Sequence, residues 1–403
     1  MEKLERILLI NDFHQGGGAE KIFRDTYNYL KDHYEVLKFY ASEKPKRPSD
    51  FLSYVYSHHY FNKLHELLIE FKPDIIHVHN YYHLLTPSIL DAIGLYKKGR
   101  NNVKVIMTAH DFHLICPNSG YYYFPPLRKR NLIKFTLPPS IFQIFYFCFD
   151  YRGFRHSLIK KIQWLNAYYI KKAFRSIDII LSPSQFLKYH LELKFKDQFS
   201  YFLLRNPLEA FPQNKGDINR STPERLKMVF IGRLSFEKGL LEYIKALKNL
   251  GNIDYIFDIY GDGEYGEILE DEIASLGLSS KIKLKGSIGR EELNNTLVNY
   301  HALVLPTLCY ENAPLSIIEA ASLNLRIITC NYGGMKEMAS ICKGEYLIDP
   351  YDESSIHKAI INCFGDITSQ NRIEGRDIQK IKEIFSEKTY TMNLIKLYKT
   401  NVL

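Results

Sequence analysis

The chain has 403 residues, 46% of them apolar, and six cysteines scattered at 116, 148, 309, 330, 342 and 363 without a CxxC pair. The length suits two domains with ample cores, and the cysteine spacing argues against a disulfide framework or a zinc ribbon and for a reducing compartment. No apolar run approaches the roughly 18 residues of a spanning helix, and the first one is too short for a secretory signal.

That first run, residues 6–11, reads as a strand. It ends in Asp12-Phe-His-Gln-Gly-Gly-Gly-Ala-Glu20, followed by a helical pattern to Lys31. Glycines between strand and helix let backbone approach a ligand, with Gly17 and Gly18 at the helix start. Three glycines also serve a tight turn, and no GxxxxGK[ST] occurs. Strand signals recur at 34–40, 74–79, 103–108 and 178–181 with helical stretches between, the mark of parallel βαβ units. His110 and Asp111 follow the 103–108 strand. Ligands of such sheets sit at strand C-termini, where a histidine can act on a hydroxyl or phosphate. His77 and His79 alternate in one strand and read as structural, since two histidines without a third ligand are a weak metal signal.

Residues 115–156 break the rhythm with Cys116-Pro, two Pro-Pro pairs and the aromatic run 141–149, and a helix is expected over 157–175. The net charge of +8 concentrates here: residues 128–175 hold eleven Lys or Arg against Asp150 alone, +10, leaving −2 for the rest. Such a patch calls for an anionic partner. Aromatics beside basic residues suit an anionic membrane surface. They equally suit core aromatics under a solvated lysine face. Nucleic acid is not expected, because no recognised binding module appears. A strand at 201–205 closes the first half, and the polar stretch 212–225 reads as an interdomain linker.

The second half restarts the alternation. A strand at 227–231 leads into Gly232-Arg233-Leu-Ser-Phe-Glu-Lys238-Gly239 and a helix, a placement from which two cations can clamp a diphosphate. The strand 255–260 runs into Gly261-Asp-Gly-Glu-Tyr-Gly266, a literal GxGxxG. The acids around that helix start repel a pyrophosphate, and lysines fill the next strand where a ribose-binding acid belongs. It reads as a structural turn with Gly263 near the ligand. A strand at 302–305 ends in Pro306, then a loop carries Glu311 and Asn312. A helix starts near Pro314, with Leu315 and Ser316 offering unpaired amides to an anion and Glu319 further in. A strand at 326–330 ends in another glycine loop, Gly333-Gly334-Met-Lys-Glu337. The last strand is 345–348. Helices are expected at 353–364, 369–382 and from 386 onward.

Together these motifs resemble the retaining family-4 glycosyltransferases of the GT-B superfamily, the glycosyl transferases group 1. They are the pair Glu311…Glu319 with seven residues between, Gly232-Arg233…Lys238-Gly239, the N-terminal glycine loop, His110-Asp111-x-x-x-x-Cys116-Pro117 and Gly333-Gly334-x-x-Glu337. The resemblance covers nearly the whole chain and is weakest over 120–175.

It implies an α/β GT-B fold, two Rossmann-like domains with parallel sheets facing across a cleft. Residues 1–207 would form the acceptor domain and 208–385 the nucleotide-sugar domain, with a helix over 386–403 returning to the first. Arg233 and Lys238 would bind the donor diphosphate together with the amides of Leu315 and Ser316. Asn312 and Gly263 would line the donor site. Glu319 would hold the ribose and Glu311 would lie by the sugar ring. His110, Gly17 and Gly18 would face the reaction from the other domain. Catalysis would fall to Glu311, His110, Arg233 and Lys238.

No Asp-x-Asp occurs, so no divalent metal or other cofactor is expected, and the nucleotide sugar, uridine by family frequency, is a substrate. The acceptor would be a glycan, lipid-linked, in bacterial cell-surface polysaccharide synthesis, with the protein peripheral on the cytoplasmic face of the membrane. Two other readings stand beside this one: an NAD-dependent oxidoreductase on Gly261–Gly266, and a non-catalytic nucleotide-sugar or carbohydrate-binding protein.

Overall fold

The computed structural model describes residues 5–41, 51–100, 102–125, 132–208, 224–251 and 253–400. Arg128, Lys129 and Arg130 of the basic segment, and most of the expected linker, lie outside them. The chain divides into two compact units, Met1–Pro207 with Glu387–Leu403, and Leu208–Ser386.

The first unit is built on β1 (Arg6–Asn11), β2 (Glu35–Tyr40), β3 (Ile75–Val78), β4 (Lys104–Thr108), β7 (Ile179–Ser182) and β8 (Ser200–Leu203). They form one parallel sheet in the order β2-β1-β3-β4-β7-β8. Ile7, Leu8, Leu9 and Ile10 are all buried, as are Ile75, Ile76 and Val78. Continuous apolar strands are what a parallel sheet covered on both faces demands. A small hairpin of β5 (Tyr122–Tyr123) and β6 (Ile133–Lys134) stands apart from the sheet.

The second unit holds β9 (Leu226–Ile231), β10 (Tyr255–Tyr260), β11 (Ile282–Gly286), β12 (Ala302–Leu305), β13 (Arg326–Cys330) and β14 (Glu345–Ile348). Their order is β11-β10-β9-β12-β13-β14, again all parallel. The direction of winding reverses between β9 and β12, and ligands of such sheets sit outside the strand ends at that point. In the first unit the corresponding reversal lies between β1 and β3.

The terminal helix, Glu387–Lys399, belongs to the first unit. The Tyr390 hydroxyl lies 2.8 Å from Thr26 Oγ1, and the Tyr398 hydroxyl 2.7 Å from His77 Nδ1.

Three expectations need correction. The helix expected over 157–175 is shorter and starts earlier, Phe154–Trp164. It widens into a π-turn over Leu165–Ile170 and ends in a 3-10 turn over Ala173–Ser176, after Lys172 adopts φ 52°. The helix expected over 369–382 is Ile378–Ile384. Gln370 and Gly375, at φ 54° and 67°, keep the preceding chain out of the helix, and Arg376 pins it by donating to the carbonyls of Cys342 and Leu325. Pro314 sits one place before the helix Leu315–Ser322, with extended backbone, and not inside its first turn.

Candidate functional site

In the second unit, the loops after β9 and β12 flank the reversal of winding. A 3-10 turn, Phe236–Lys238, follows β9, and Gly239 at φ 68° turns the chain into the helix Leu240–Leu247. A Cβ at Gly239 would lie 2.1 Å from the Pro306 carbonyl oxygen, so only glycine lets the two loops touch there. The Leu308 N–H donates to the Glu237 carbonyl at 2.8 Å and ties the loops further.

This contact brings Lys238 to Glu311. The ammonium donates to Glu311 Oε1, although 73 residues separate the two, and both side chains are mostly enclosed. Burial alone would lower the Lys238 pKa, but the adjacent Glu311 carboxylate outweighs it and holds the pKa above its ordinary value. Arg233 is placed otherwise. Its guanidinium donates to Glu237 Oε1 at 2.7 Å and is 70% exposed, so the structure does not bring it to Glu311. Burial favours the neutral form of Glu237, yet its own backbone N–H and the cations Arg233 and Lys238 hold its pKa below the usual value.

The Glu311–Asn312 loop is packed by the third glycine loop. A Cβ at Gly334 would fall 1.5 Å from the Asn312 carbonyl oxygen, and the Gly334 N–H donates to the Glu311 carbonyl at 2.9 Å. Asn312 is buried. Beyond it the helix Leu315–Ser322 begins. The Ile317 N–H turns back to the Pro314 carbonyl at 3.2 Å. The amides of Leu315 and Ser316, ahead of it, have no acceptor within the helix, and the helix dipole adds partial positive charge beside them. Glu319 lies buried on the same helix.

The GxGxxG loop packs against this assembly. A Cβ at Gly263 would meet the Leu234 carbonyl oxygen at 2.1 Å, and one at Gly261 the Gly232 carbonyl oxygen at 1.8 Å. Its glycines admit the neighbouring loop and do not form a separate dinucleotide cradle.

In the first unit, Asp12 follows β1, but its carboxylate accepts the N–H groups of His83, Leu84 and Leu85 at 2.8–3.0 Å. Asn11 Oδ1 accepts the Asn80 N–H at 2.9 Å. These bonds knit the loops after β1 and β3 to each other. Gly17 precedes the helix Gly18–Leu30, and the Glu20 carboxyl lies 3.2 Å from where a Gly16 Cβ would be. The dipole of that helix start is thereby met by the chain's own acid.

His110 lies after β4. It ends a row of stacked rings, with His77 and His79 centroids 4.5 Å apart and His79 and His110 5.2 Å apart. His79 Nδ1 is 2.9 Å from His110 Nε2. Burial drops the pKa of His110 to about 4 and that of His77 to about 3, and takes His79 well below its ordinary value. Among the described residues, His79 Nε2 is buried without a partner. An orphaned N–H is costlier than an orphaned lone pair, so the network assigns the His79 proton to Nδ1, donating to His110. His110 then carries its own proton on Nδ1. It is thus neutral and held in that tautomer. Asp111 beside it is raised by burial, against the Tyr82 hydroxyl and the His113 N–H that it accepts.

Two family comparisons cover most of the chain. Glycosyl transferases group 1 matches residues 213–376 and Glycosyltransferase Family 4 matches residues 16–198. The chain is a family-4 glycosyltransferase. Its fold is GT-B: it is similar to the structure of Anabaena Alr3699/HepE in complex with UDP and glucose, with TM-score 0.64, 14% identity and 98% and 99% of the two chains covered.

Among curated proteins, it is 30% identical over 131 residues to the 2-deoxystreptamine N-acetyl-D-glucosaminyltransferase of Niallia circulans, covering 32% of this chain and 33% of that one. It is 29% identical over 194 residues to the UDP-Gal:alpha-D-GlcNAc-diphosphoundecaprenol alpha-1,3-galactosyltransferase of Escherichia coli, covering 43% and 49%. The matches thus span a third to a half of these two relatives.

Several residues that shape the candidate site were not assigned from sequence. Glu237, the partner of Arg233, stands four residues from it and was legible. His79, the partner of His110, becomes a neighbour only through the pairing of β3 with β4. Asp12 acts through loops more than seventy residues away.

Proposed function

We propose that this transferase moves a sugar from a UDP-sugar onto a hydroxyl of a lipid-linked glycan, with retention of anomeric configuration and without a divalent metal. The observation that carries the donor half is the Lys238–Glu311 pair beside the first-turn amides of the Leu315–Ser322 helix, at the reversal of the second sheet.

Transfer leaves negative charge on the departing diphosphate, and a buried ammonium with two aligned N–H groups stabilises it as a metal would. Lys238 exchanges its carboxylate partner for phosphate when the donor binds, which frees Glu311 for the sugar ring. Glu319 holds the ribose hydroxyls, with Asn312 and Gly263 lining the donor site. Arg233 supplies a further cation from the rim after leaving Glu237. In front-face transfer the acceptor hydroxyl attacks the anomeric carbon on the side from which the phosphate leaves. The anomeric C–O bond to phosphate breaks, the new C–O bond forms, and the hydroxyl proton passes to a phosphate oxygen.

We assign acceptor handling to the first unit, through His110 as hydrogen-bond donor and the Gly17–Gly18 loop. UDP and the lipid-linked acceptor are supported by the activity of the Escherichia coli relative, and UDP also by the ligand of the Anabaena structure. We also place the enzyme at the cytoplasmic membrane face, through the basic aromatic segment 128–175.

Calorimetric titration with nucleoside diphosphates, their sugars and NADH tests the donor. UDP-sugar binding that survives EDTA, and that Lys238→Ala weakens, is expected. Tight NADH binding, or activity lost with EDTA, overturns the reading. Retention is tested by the product's anomeric coupling in NMR, and a trapped glycosyl ester on Glu311 would replace the front-face path.

A further inference from the structure

The Ile141–Tyr146 helix of the first unit carries its aromatics on the outside. It is fixed in place by a capping box, Ser140 Oγ accepting the Gln143 N–H and Gln143 Oε1 the Ser140 N–H. Its Ile144 is buried, which sets the helix orientation. Phe142, Phe145 and Tyr146, at i, i+3 and i+4, share the opposite face and are 82%, 63% and 70% exposed.

Phe154, which opens the next helix, is 66% exposed. Lys161 joins the two elements. Its ammonium donates to the Phe145 carbonyl at 2.9 Å and lies 5.9 Å from the centre of the Phe154 ring. Lys161 is therefore buried and does not belong to a solvated lysine face.

The charge along this stretch of the chain is mostly of one sign. Between 132 and 164 there are five Lys or Arg and a single acid, Asp150. Asp150 is buried and paired with Arg152 and Lys160. The exposed charges are then basic, with Arg155 directly beside Phe154.

We propose that this face docks on an anionic lipid bilayer, Phe142, Phe145, Tyr146 and Phe154 entering the headgroup layer while Arg155 and its basic neighbours meet lipid phosphates. Exposed rings in water carry a hydration cost that the interface removes, and the exposed basic residues of this stretch gain Coulomb energy at an anionic surface. A second copy of the chain fits less well, because a two-fold contact would set this basic face against itself. The inference deepens the membrane part of the proposed function and rests on it only there.

The test is flotation of the full chain with phosphatidylcholine vesicles, with and without phosphatidylglycerol. The protein is expected to float with the anionic vesicles and to be released by salt. Phe142→Ser with Phe145→Ser should lower partitioning at least about tenfold. Ile69→Ser, an exposed apolar side chain elsewhere on the unit, should not. Unchanged UDP-induced stabilisation shows that each variant is folded. Absence of flotation, or flotation indifferent to the two phenylalanines, overturns the proposal. So does a dimer in sedimentation that the double variant abolishes. Loss of flotation with donor binding intact removes the membrane surface alone, whereas loss of donor binding with flotation intact removes the donor assignment alone.

Discussion

The two units share a six-stranded parallel sheet but treat the reversal of winding in opposite ways. In the first, Asp12 and Asn11 turn their polar atoms onto backbone amides, and the histidines behind them are held neutral by burial. In the second, the same place in the sheet holds an ion pair, Lys238 with Glu311, beside a helix start. One architecture thus produces a crevice whose carboxylate is bonded to backbone and whose histidines are neutral, and another that holds an ion pair. The difference comes from a handful of loop residues, since the strands around both are equally apolar.

The contrast breaks most easily at Lys238. Lys238→Ala should lower turnover about 10²–10³-fold, as loss of one group facing a developing charge does. Glu311→Ala should act mainly on turnover, and Glu319→Ala mainly on donor binding. Steady-state kinetics with binding isotherms separate these. If Lys238→Ala leaves turnover within a few-fold of the parent, the charged crevice is not where the phosphate departs.

Next in size is Gly334→Ala. The new methyl would overlap the Asn312 carbonyl, which must move and drag Glu311 with it. A cost of about 3 kcal/mol in denaturant unfolding of the second unit is expected, with donor binding lost in parallel. No stability change would mean that the loop is softer than its contacts imply.

A third prediction sharpens the neutral side. His77, His79, His110, His113 and His190, all in the first unit, have pKa values lowered by burial, to about 3 for His77 and about 4 for His110 and His190. Below the unfolded value of 6.5 the unfolded chain takes up protons that the folded unit refuses. The stability these groups confer is therefore complete above that pH and is lost as pH falls toward about 4. The slope reaches about 1.4 kcal/mol per pH unit for each fully buried histidine. Hydrogen exchange at pH 7 and pH 5 should show the first unit losing protection ahead of the second. Equal loss in both would contradict it.

Much of this was legible in sequence because the strands are short apolar runs closed by Gly, Pro or Asn. Leu226–Ile231 and Ala302–Leu305 are examples, and the loops at their ends could be placed before any contact was known. The ion pair could not be, since Lys238 and Glu311 meet only once β9 lies beside β12. Lys161 departs from its residue type for a related reason: its charge suggests water, but its stem is buried and its ammonium serves a carbonyl sixteen residues away. The chain over 369–377 carries Ser369, Asn371, Gly375 and Asp377, which disfavour a helix, and Arg376 instead bonds the carbonyls of Cys342 and Leu325. For the ion pair and for Lys161, a distant partner overrides a local preference.

The smallest effect concerns the far end of the histidine row. Tyr398→Phe removes the hydroxyl that meets His77 Nδ1 and keeps the ring. His77 retains Thr108 through Nε2, so the row loses one of its two anchors. A buried ring nitrogen without a partner costs about 1 kcal/mol. The terminal helix would still be held by Tyr390 on Thr26 and by its buried Leu394 and Leu397. Urea unfolding should therefore register a drop of about 1 kcal/mol, with faster amide exchange in Glu387–Lys399. Turnover should change little, because His79 still sets the tautomer of His110. A large loss of turnover at unchanged stability would show that the row acts on the chemistry as a unit, and that the neutral crevice depends on the last helix of the chain as much as on its own loops.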